Sequence, residues 1–331
     1  MNFADKVFFD RDLSLRSIVD KKVGVIGYGN QGRAQAANLK DSGVNVTVGL
    51  RQNSLSSAKV EKDGIKVDTL ENTIKKSDII AVLIPDNQID IFLSTYSLYL
   101  KNGQTILFSH GYSVIYGKTE LPDYLNIVMV APSGGGKIVR SEYKKGFGVP
   151  ALVAVHQDYS KKSWNIAFSY AKAIGSSRAA VFKSTFREET ETDLFGEQVI
   201  LTGSIPLILI ESFKVLVEDG YDPVVAWFVC FYELKTIVNL IFDKGLESFY
   251  HMVSSTARYG GISRGKKLID DDFRHKMKSI LKDIKQGSFK EELEQVLSKE
   301  DNADKDIKSI FNSKEFSQIE SKLLSKVKNN S

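Results

Sequence analysis

Several short segments of this sequence combine residue types and spacings that could do chemistry. The first is Gly27-Tyr28-Gly29-Asn30-Gln31-Gly32, a G-x-G-x-x-G run between the apolar Val23 to Ile26 and the helix-like Arg33 to Lys40. In a strand-to-helix setting the first glycine permits a tight turn, the second lets a pyrophosphate approach the backbone, and the third lets helix and strand pack closely. Free N–H groups at the helix start then hold phosphate. After the apolar Val44 to Leu50 come Arg51, Ser54 and Ser56, where an NAD-specific site carries an acid for the ribose 2′-hydroxyl. One fixed cation and two hydroxyls suit a 2′-phosphate, so the expected dinucleotide is NADP(H) rather than NAD. A solvated polar loop is the plainer alternative.

Three further segments follow apolar runs and so lie at strand carboxyl ends, where open α/β sheets bind ligands. They are Pro85-Asp86-Asn87-Gln88, Phe108-Ser109-His110-Gly111 and Ala131-Pro132-Ser133-Gly134-Gly135-Gly136-Lys137. His110 has this placement, whereas His156, His251 and His275 do not. The glycine run would let backbone come close to nicotinamide or substrate, with a plain loop as the alternative. Farther on, Asp193 and Glu197 stand four residues apart, on one face of a helix. Like charges at that spacing repel, and a hard cation such as Mg²⁺ would turn them into ligands, although acidic pairs on solvated faces are common. Glu233 sits amid Trp227, Phe228, Phe231, Tyr232, Leu234 and Ile237. A carboxylate there needs a partner: a metal, a cation or water.

These residues need a scaffold. From Val23 to about Lys183 short apolar runs alternate with amphipathic stretches, the mark of a doubly wound parallel sheet covered on both faces. After Lys183 the long apolar-periodic stretches Glu189 to Val217, Pro223 to Phe242 and Met277 to Lys285 read as helical. Asp222-Pro223 predicts a helix start, Gly245 and Gly260-Gly261 predict breaks, and Lys328 to Ser331 predicts a frayed end. The expected organisation is an α/β Rossmann-type domain over 1–183 and an all-α domain over 184–331.

Length and composition agree, since 331 residues with 42% hydrophobic and 26% charged content suit two soluble globular domains. With 45 Lys and Arg against 41 Asp and Glu, the net charge of +4 is too small to point to nucleic acid or a membrane as the main partner. The single cysteine, Cys230, excludes an internal disulfide and a Cys-rich zinc site and reads as core packing. Met1 to Asp10 lacks the features of a signal peptide. Val199 to Leu209 is the most apolar stretch. Interrupted by Thr202, Gly203, Ser204 and Pro206, it reads as too short for a bilayer of about 30 Å. A cytoplasmic protein is expected.

Together these segments resemble the short form of ketol-acid reductoisomerase, an enzyme of valine and isoleucine biosynthesis with one helical domain. The resemblance runs from about residue 3 to about residue 300. It rests on Val25 to Gly32, Val48-Gly49-Leu50-Arg51, Ser109-His110-Gly111, Val130-Ala131-Pro132, Glu189 to Gln198 and Thr256-Ala257-Arg258-Tyr259-Gly260. It implies that one or two Mg²⁺ ions grip the oxygens of a 2-acetolactate-type 2-hydroxy-keto acid, that an alkyl group migrates, and that NADPH reduces the new ketone to a 2,3-dihydroxy acid. Asp193 would bridge the metals, Glu197 would hold one and Glu233 would help with the other. His110 would join the catalytic polar network and Ser254 would contact the substrate carboxylate. Tyr28, Asn30, Gln31, Arg51, Ser54, Ser56, Asp86 and Gly136, with the glycine loop, would hold NADP. The helical domain would be knotted and would pair in a homodimer or higher oligomer, with Glu233 and Ser254 serving the neighbour's site.

Four positions depart from that pattern around the substrate. Ser133 stands in place of Lys, Val229 in place of a metal-binding Glu, Ser255 in place of Asn and Arg258 in place of Glu. Losing the carboxylate at 229 removes an anionic ligand from one metal, whereas the cofactor motifs are intact. Two other readings therefore stay open: an NADPH-dependent 2-keto acid reductase without the isomerase step, and a non-catalytic NADP-binding subunit of a hetero-oligomer.

Overall fold

Nine strands form one sheet in the order β1-β9-β8-β7-β6-β5-β2-β3-β4. They are β1 (Val7–Phe8), β2 (Lys22–Ile26), β3 (Asn45–Leu50), β4 (Lys66–Thr69), β5 (Ile79–Val82), β6 (Thr105–Phe108), β7 (Asn126–Pro132), β8 (Ala151–Asp158) and β9 (Val181–Lys183). The computed structural model describes residues 5–298 and 314–329, together with Ile307 and Ile310. The chain divides into two compact units, Met1–Thr190 and Glu191–Ser331.

The first unit is wound from the middle of its sheet. From β2 the chain passes through α1 (Asn30–Asp41) to β3 and α2 (Ser57–Lys62) to β4. It then crosses back through α3 (Leu70–Lys76) to β5, on the other side of β2. The reversal leaves a crevice at the carboxyl ends of β2 and β5, which are parallel neighbours. From β5 the chain continues through α4 (Asp86–Tyr96) to β6, α5 (Tyr112–Ile115) to β7, α6 (Gly136–Lys144) to β8, and α7 (Ser163–Ala173) to β9.

The apolar runs are unbroken because both faces of the sheet are buried. Ile79 and Ala81 of β5 join one core cluster with Ala36, Leu39 and Tyr170. Their alternates Ile80 and Val82 join the opposite cluster with Ile74, Ile89 and Phe92. Burial of each such side chain contributes about 1.5–3 kcal/mol.

The sheet is mixed rather than wholly parallel, which corrects one expectation. β7 and β8 run antiparallel, as do β1 and β9. Apolar runs report burial on both faces and carry no information on strand direction. The short strands β1, β4 and β9 were not anticipated, because Val7–Phe8, Lys66–Thr69 and Val181–Lys183 are too brief or too polar to show a period.

Helix α8 (Phe186–Gly196) begins in the first unit and runs into the second. A π-helical segment, Glu197–Leu201, leads from it to α9 (Ser204–Glu218). The expected interruption of the apolar stretch falls at Thr202 and Gly203, a turn between the π-helical segment and α9, within the 33-residue span Phe186–Glu218. Pro206 falls in the first turn of α9, where its missing N–H costs no intrahelical bond. This span and Pro223–Lys244, of 22 residues, are long and apolar enough by length and composition to cross a membrane.

The second unit continues with α10 (Pro223–Trp227), a second π-helical segment (Phe228–Tyr232), α11 (Glu233–Lys244), α12 (Leu246–Met252) and α13 (Ser255–Leu268). After these come α14 (Asp271–Gln286), α15 (Ser288–Ser298) and α16 (Lys314–Asn329). Asp222 caps α10 by accepting from the N–H groups of Val224 and Val225 at 2.9 and 3.0 Å, with Pro223 at the first helical position. Gly245 separates α11 from α12, as expected. Gly260 and Gly261 lie inside α13 instead of breaking it. Each weakens a helix by about 1 kcal/mol and does not by itself end one. A small core of Ile210, Phe213, Ala226, Trp227 and Phe316 ties α9, α10 and α16 together. The frayed end expected at Lys328 to Ser331 is helical to Asn329, and Asn330 and Ser331 lie outside the described residues.

Candidate active site

The glycine loop lies at the carboxyl end of β2, in the crevice beside β5. Gly27 has φ +94°, and a Cβ there would lie 2.6 Å from the Leu83 carbonyl oxygen, so no other residue fits. Gly32 packs against the same turn, its missing Cβ only 2.4 Å from the Gly27 oxygen. At Gly29 no protein atom lies within 4 Å of that position, which leaves the approach to the backbone open. Gly29 is also the N-cap of α1 and supplies no side-chain acceptor. The first N–H groups of α1 are thus available to an anion.

Around the loop a polar network fixes neighbouring segments. Gln31 Nε2 donates to the Gly134 carbonyl at 2.8 Å. Gln35 Nε2 donates to Gln31 Oε1 at 3.0 Å and to Ser109 Oγ at 2.9 Å. Buried Tyr170 donates to Gln35 Oε1 at 2.9 Å. Tyr28 donates from its hydroxyl to Asp63 at 2.8 Å, and burial together with that carboxylate pushes its pKa up. Asp63 is held below the usual carboxylate range, first by the Arg33 guanidinium, which reaches it with bonds of 2.7 and 3.0 Å. Gly136 is buried, and a Cβ on it would stand 1.9 Å from the Asn30 carbonyl oxygen. Its place is a close contact between the starts of α6 and α1.

A cleft of about 690 Å³ opens from this loop along the carboxyl ends of β2 and β3. Of the residues expected at the cofactor, Gly27, Tyr28, Gly29, Arg51, Ser54 and Ser56 line it. Arg51 is exposed, and no ion pair engages it among the described residues. Asn30 and Gly136 line an adjoining groove on the outer side of α1, which Tyr28 and Gly29 border as well, and Gln31, Gly32 and Asp86 line neither. Asp86 begins α4. The residue has exposed surface, but packing around its carboxyl raises its pKa, opposed by His110 and by a 3.4 Å hydrogen bond from Ser113.

At the end of β6, next to β5, His110 is tied to a residue the sequence reading left without a role. Its Nδ1 lies 2.8 Å from Oε1 of Glu189, whose side chain is only 3% exposed. Oε2 of Glu189 accepts the Gly111 N–H at 2.8 Å. Gly111 is needed there, since a Cβ would lie 2.3 Å from Thr190 Oγ1 and 2.7 Å from the Phe186 carbonyl oxygen. A carboxylate on Nδ1 places a proton on that nitrogen and directs Nε2 away from it. The clue in the sequence was weak: one inward glutamate in the acidic run Glu188-Glu189-Thr190-Glu191, where periodicity cannot say which acid is buried.

In the second unit, Asp193 follows Glu189 by one turn of α8, and Glu197 opens the π-helical segment one turn later. Both are exposed. Glu233 starts α11 and is also exposed, so a buried carboxylate in want of a partner is not what a single chain contains. Of its aromatic neighbours, Trp227 is buried in the small core with Phe231 and Tyr232 packed against it, while Phe228 is exposed. Among the described residues Asp193, Glu197 and Glu233 do not gather into one three-donor cluster. Their carboxylate oxygens are nevertheless the donor type a hard divalent cation takes. Ser254 caps α13, its Oγ accepting the Ala257 N–H at 3.1 Å, which leaves the hydroxyl proton to donate elsewhere. Val229 lies in the π-helical segment and is 48% exposed, while Ser133, Ser255 and Arg258 are exposed as well.

A doubly wound domain with this loop and cleft, followed by a helical domain, defines a nicotinamide-dinucleotide oxidoreductase. Residues 17–180 match the acetohydroxy acid isomeroreductase NADPH-binding domain, and residues 186–329 match the ketol-acid reductoisomerase C-terminal domain. The ketol-acid reductoisomerase (NADP(+)) of Methanocaldococcus jannaschii is 50% identical over 288 residues, covering 87% of each chain. That of Pyrococcus abyssi is 43% identical over 316 residues, covering 95% of this chain and 94% of its own. The solved structure of an NADH-preferring ketol-acid reductoisomerase from an uncultured archaeon is similar with a TM-score of 0.90 and 33% identity, covering 96% of this chain and 98% of its own. The chain belongs to the ketol-acid reductoisomerase family.

Proposed function

We propose that this protein converts a 2-acetolactate-type substrate to a 2,3-dihydroxy acid by alkyl migration followed by reduction, using NADPH and Mg²⁺. The observation that carries this reading is the dinucleotide cleft at β2 and β5 with an oriented imidazole at the end of the adjacent β6. When bound, NADPH supplies the hydride and Mg²⁺ the Lewis acidity. The chain's own residues do the rest. Open N–H groups of α1 receive the pyrophosphate, and Arg51 with Ser54 and Ser56 receives the 2′-phosphate. Since one structural relative prefers NADH, cofactor choice within this fold belongs to such residues rather than to the scaffold. Glu189 holds His110 in one tautomer, so that Nε2 can exchange a proton with a substrate oxygen.

Asp193 and Glu197 are assigned to the metal, with Glu233 and Ser254 acting on the site of a second copy in a homodimer. Two features support this: the three carboxylates form no close three-donor group among the described residues, and Ile200, Leu201, Val215, Val224, Val225 and Phe242 are exposed. Apolar helix faces of this kind are read as subunit interface rather than membrane span, which fits a cytoplasmic enzyme.

Val229 favours one second reading, a reductase that has lost migration, because valine offers no oxygen to a metal. NADPH oxidation with Mg²⁺ and either 2-acetolactate or 3-hydroxy-3-methyl-2-ketobutyrate separates the two. Turnover of both compounds is expected. Turnover of only the latter would leave the reductase, and turnover of neither by NADPH-binding protein would leave a non-catalytic subunit.

A further inference from the structure

A second concavity, of about 740 Å³, lies on the outer side of α1, between α6 and α2. Six cations line it: Arg33, Lys40, Lys59, Lys137, Arg140 and Lys144. Only two carboxylates, Asp41 and Asp63, face them. That surplus of four equals the surplus of the whole chain, whose other cations and carboxylates number 39 each. Cations thus outnumber carboxylates three to one along this groove.

The fold builds the groove rather than leaving it to chance. Contacts from α1 to α6 advance in step along both helices: Asn30 meets Gly136, Asn38 meets Val139 and Arg140, and Ser42 meets Tyr143 at 2.7 Å. The two helices are thus parallel, with their N-termini side by side at one end of the groove; that of α1 is assigned to the cofactor's pyrophosphate, which leaves that of α6 to favour a further anion. Arg140 is fixed by bonds of 2.8 Å to Asn38 and 2.7 Å to Asp41. Arg33 already neutralises Asp63, and Lys40 bonds the Asp63 carbonyl at 3.0 Å. Lys59, Lys137 and Lys144 are exposed and make no ion pair among the described residues. Three exposed ammonium groups thus share the groove with two anchored guanidinium groups.

We infer that this groove binds a small anion carrying several phosphate groups at its cations, beside the cofactor cleft with which it shares Tyr28 and Gly29. Its volume suits a ligand of nucleotide size. A nucleic acid would need a longer positive track than this groove offers. The inference does not depend on the reaction proposed above.

The test titrates inorganic tripolyphosphate, and separately ATP, into protein saturated with NADP⁺ in low-salt buffer, followed by calorimetry. One saturable site per chain is expected for ATP, weakening steeply as salt rises. Tripolyphosphate binding as well shows that the phosphate chain suffices, and ATP binding alone assigns a nucleotide; either supports the site. Lys59→Ala, Lys137→Ala and Lys144→Ala combined should weaken binding by about 30-fold, with NADPH affinity changed less than about twofold. Lys278→Ala, Lys282→Ala and Lys285→Ala on α14 should leave it unaltered. The inference fails if neither probe binds at millimolar concentration, if saturation with NADP⁺ abolishes binding, or if both triple variants lose affinity alike.

Discussion

Replacing Glu189 by glutamine separates the two tasks of its carboxylate. One oxygen accepts the Gly111 N–H and the other faces His110 Nδ1, each at 2.8 Å. In Glu189→Gln the amide oxygen keeps the Gly111 bond, because the alternative sets NH₂ against N–H. The amide nitrogen then meets Nδ1, which must become an acceptor, and the ring proton moves to Nε2. Two charge-assisted bonds become neutral ones, a loss of about 1–2 kcal/mol, partly offset because a neutral amide is cheaper to bury than a carboxylate. The expected change in stability is about 1 kcal/mol, a shift of a few degrees in Tm. Activity should suffer far more, since an imidazole held in the wrong tautomer loses about 10²- to 10⁴-fold in rate, roughly 3–5 kcal/mol. The assays are NADPH oxidation with 2-acetolactate, thermal melting, and ¹⁵N chemical shifts of the His110 ring, which report the tautomer directly. A rate within threefold of the parent, with the proton shown on Nε2, would refute the positioning role of Glu189.

Arg51→Asp removes an exposed cation that pairs with no carboxylate among the described residues, so folding should change by less than about 0.5 kcal/mol. Loss of a charged phosphate contact and added repulsion should weaken NADPH by roughly 2–4 kcal/mol and NADH little; equal losses measured by fluorescence titration would discredit the 2′-phosphate assignment. Gly136→Ala places a methyl 1.9 Å from the Asn30 carbonyl oxygen, so α6 must shift at a cost of about 1–3 kcal/mol, and both Tm and NADPH affinity should fall; an unchanged melt would show the contact to be soft. Asp68 is held at a pKa of about 2, first by the Asn72 amide and then by Lys76. A carboxylate depressed in this way adds stability above its unfolded value of about 3.9, and that stability fades as pH falls through about 2. Asp68→Asn should therefore cost about 1 kcal/mol, after allowing for solvent screening, at pH 6 and only a small fraction of that at pH 2, as read by urea melts at both values.

The two-unit architecture and the glycine loop were legible because their signals are local. An apolar run such as Ile79–Val82 records burial on both faces, and the turn itself asks for a positive φ at Gly27, an open approach at Gly29 and close packing of Gly32 on Gly27. The antiparallel turn from β7 to β8 was not legible, since Leu152 to Val155 looks the same in either direction. Glu189 was missed for a related reason: its partners, His110 and Gly111, lie some eighty residues earlier, and only the packing of Phe186 and Gly111 turns this acid inward rather than Glu188 or Glu191. Gly136 was expected at the cofactor, yet its lack of a side chain answers to Asn30. The basic groove escaped notice because its cations come from three helices, and a net charge of +4 summed over the chain conceals where that charge resides.

The two π-helical segments, Glu197–Leu201 and Phe228–Tyr232, carry a consequence for how this helical domain tolerates length change. A π turn holds one residue more than the α turn it replaces. Deleting a residue inside either segment would restore an ordinary turn and leave α9 or α11 presenting the same side. The same deletion a few positions away would rotate everything downstream by about 100°. Insertions and deletions that preserve folding should therefore collect at these two places, and the first of them begins with Glu197, a carboxylate assigned to the metal.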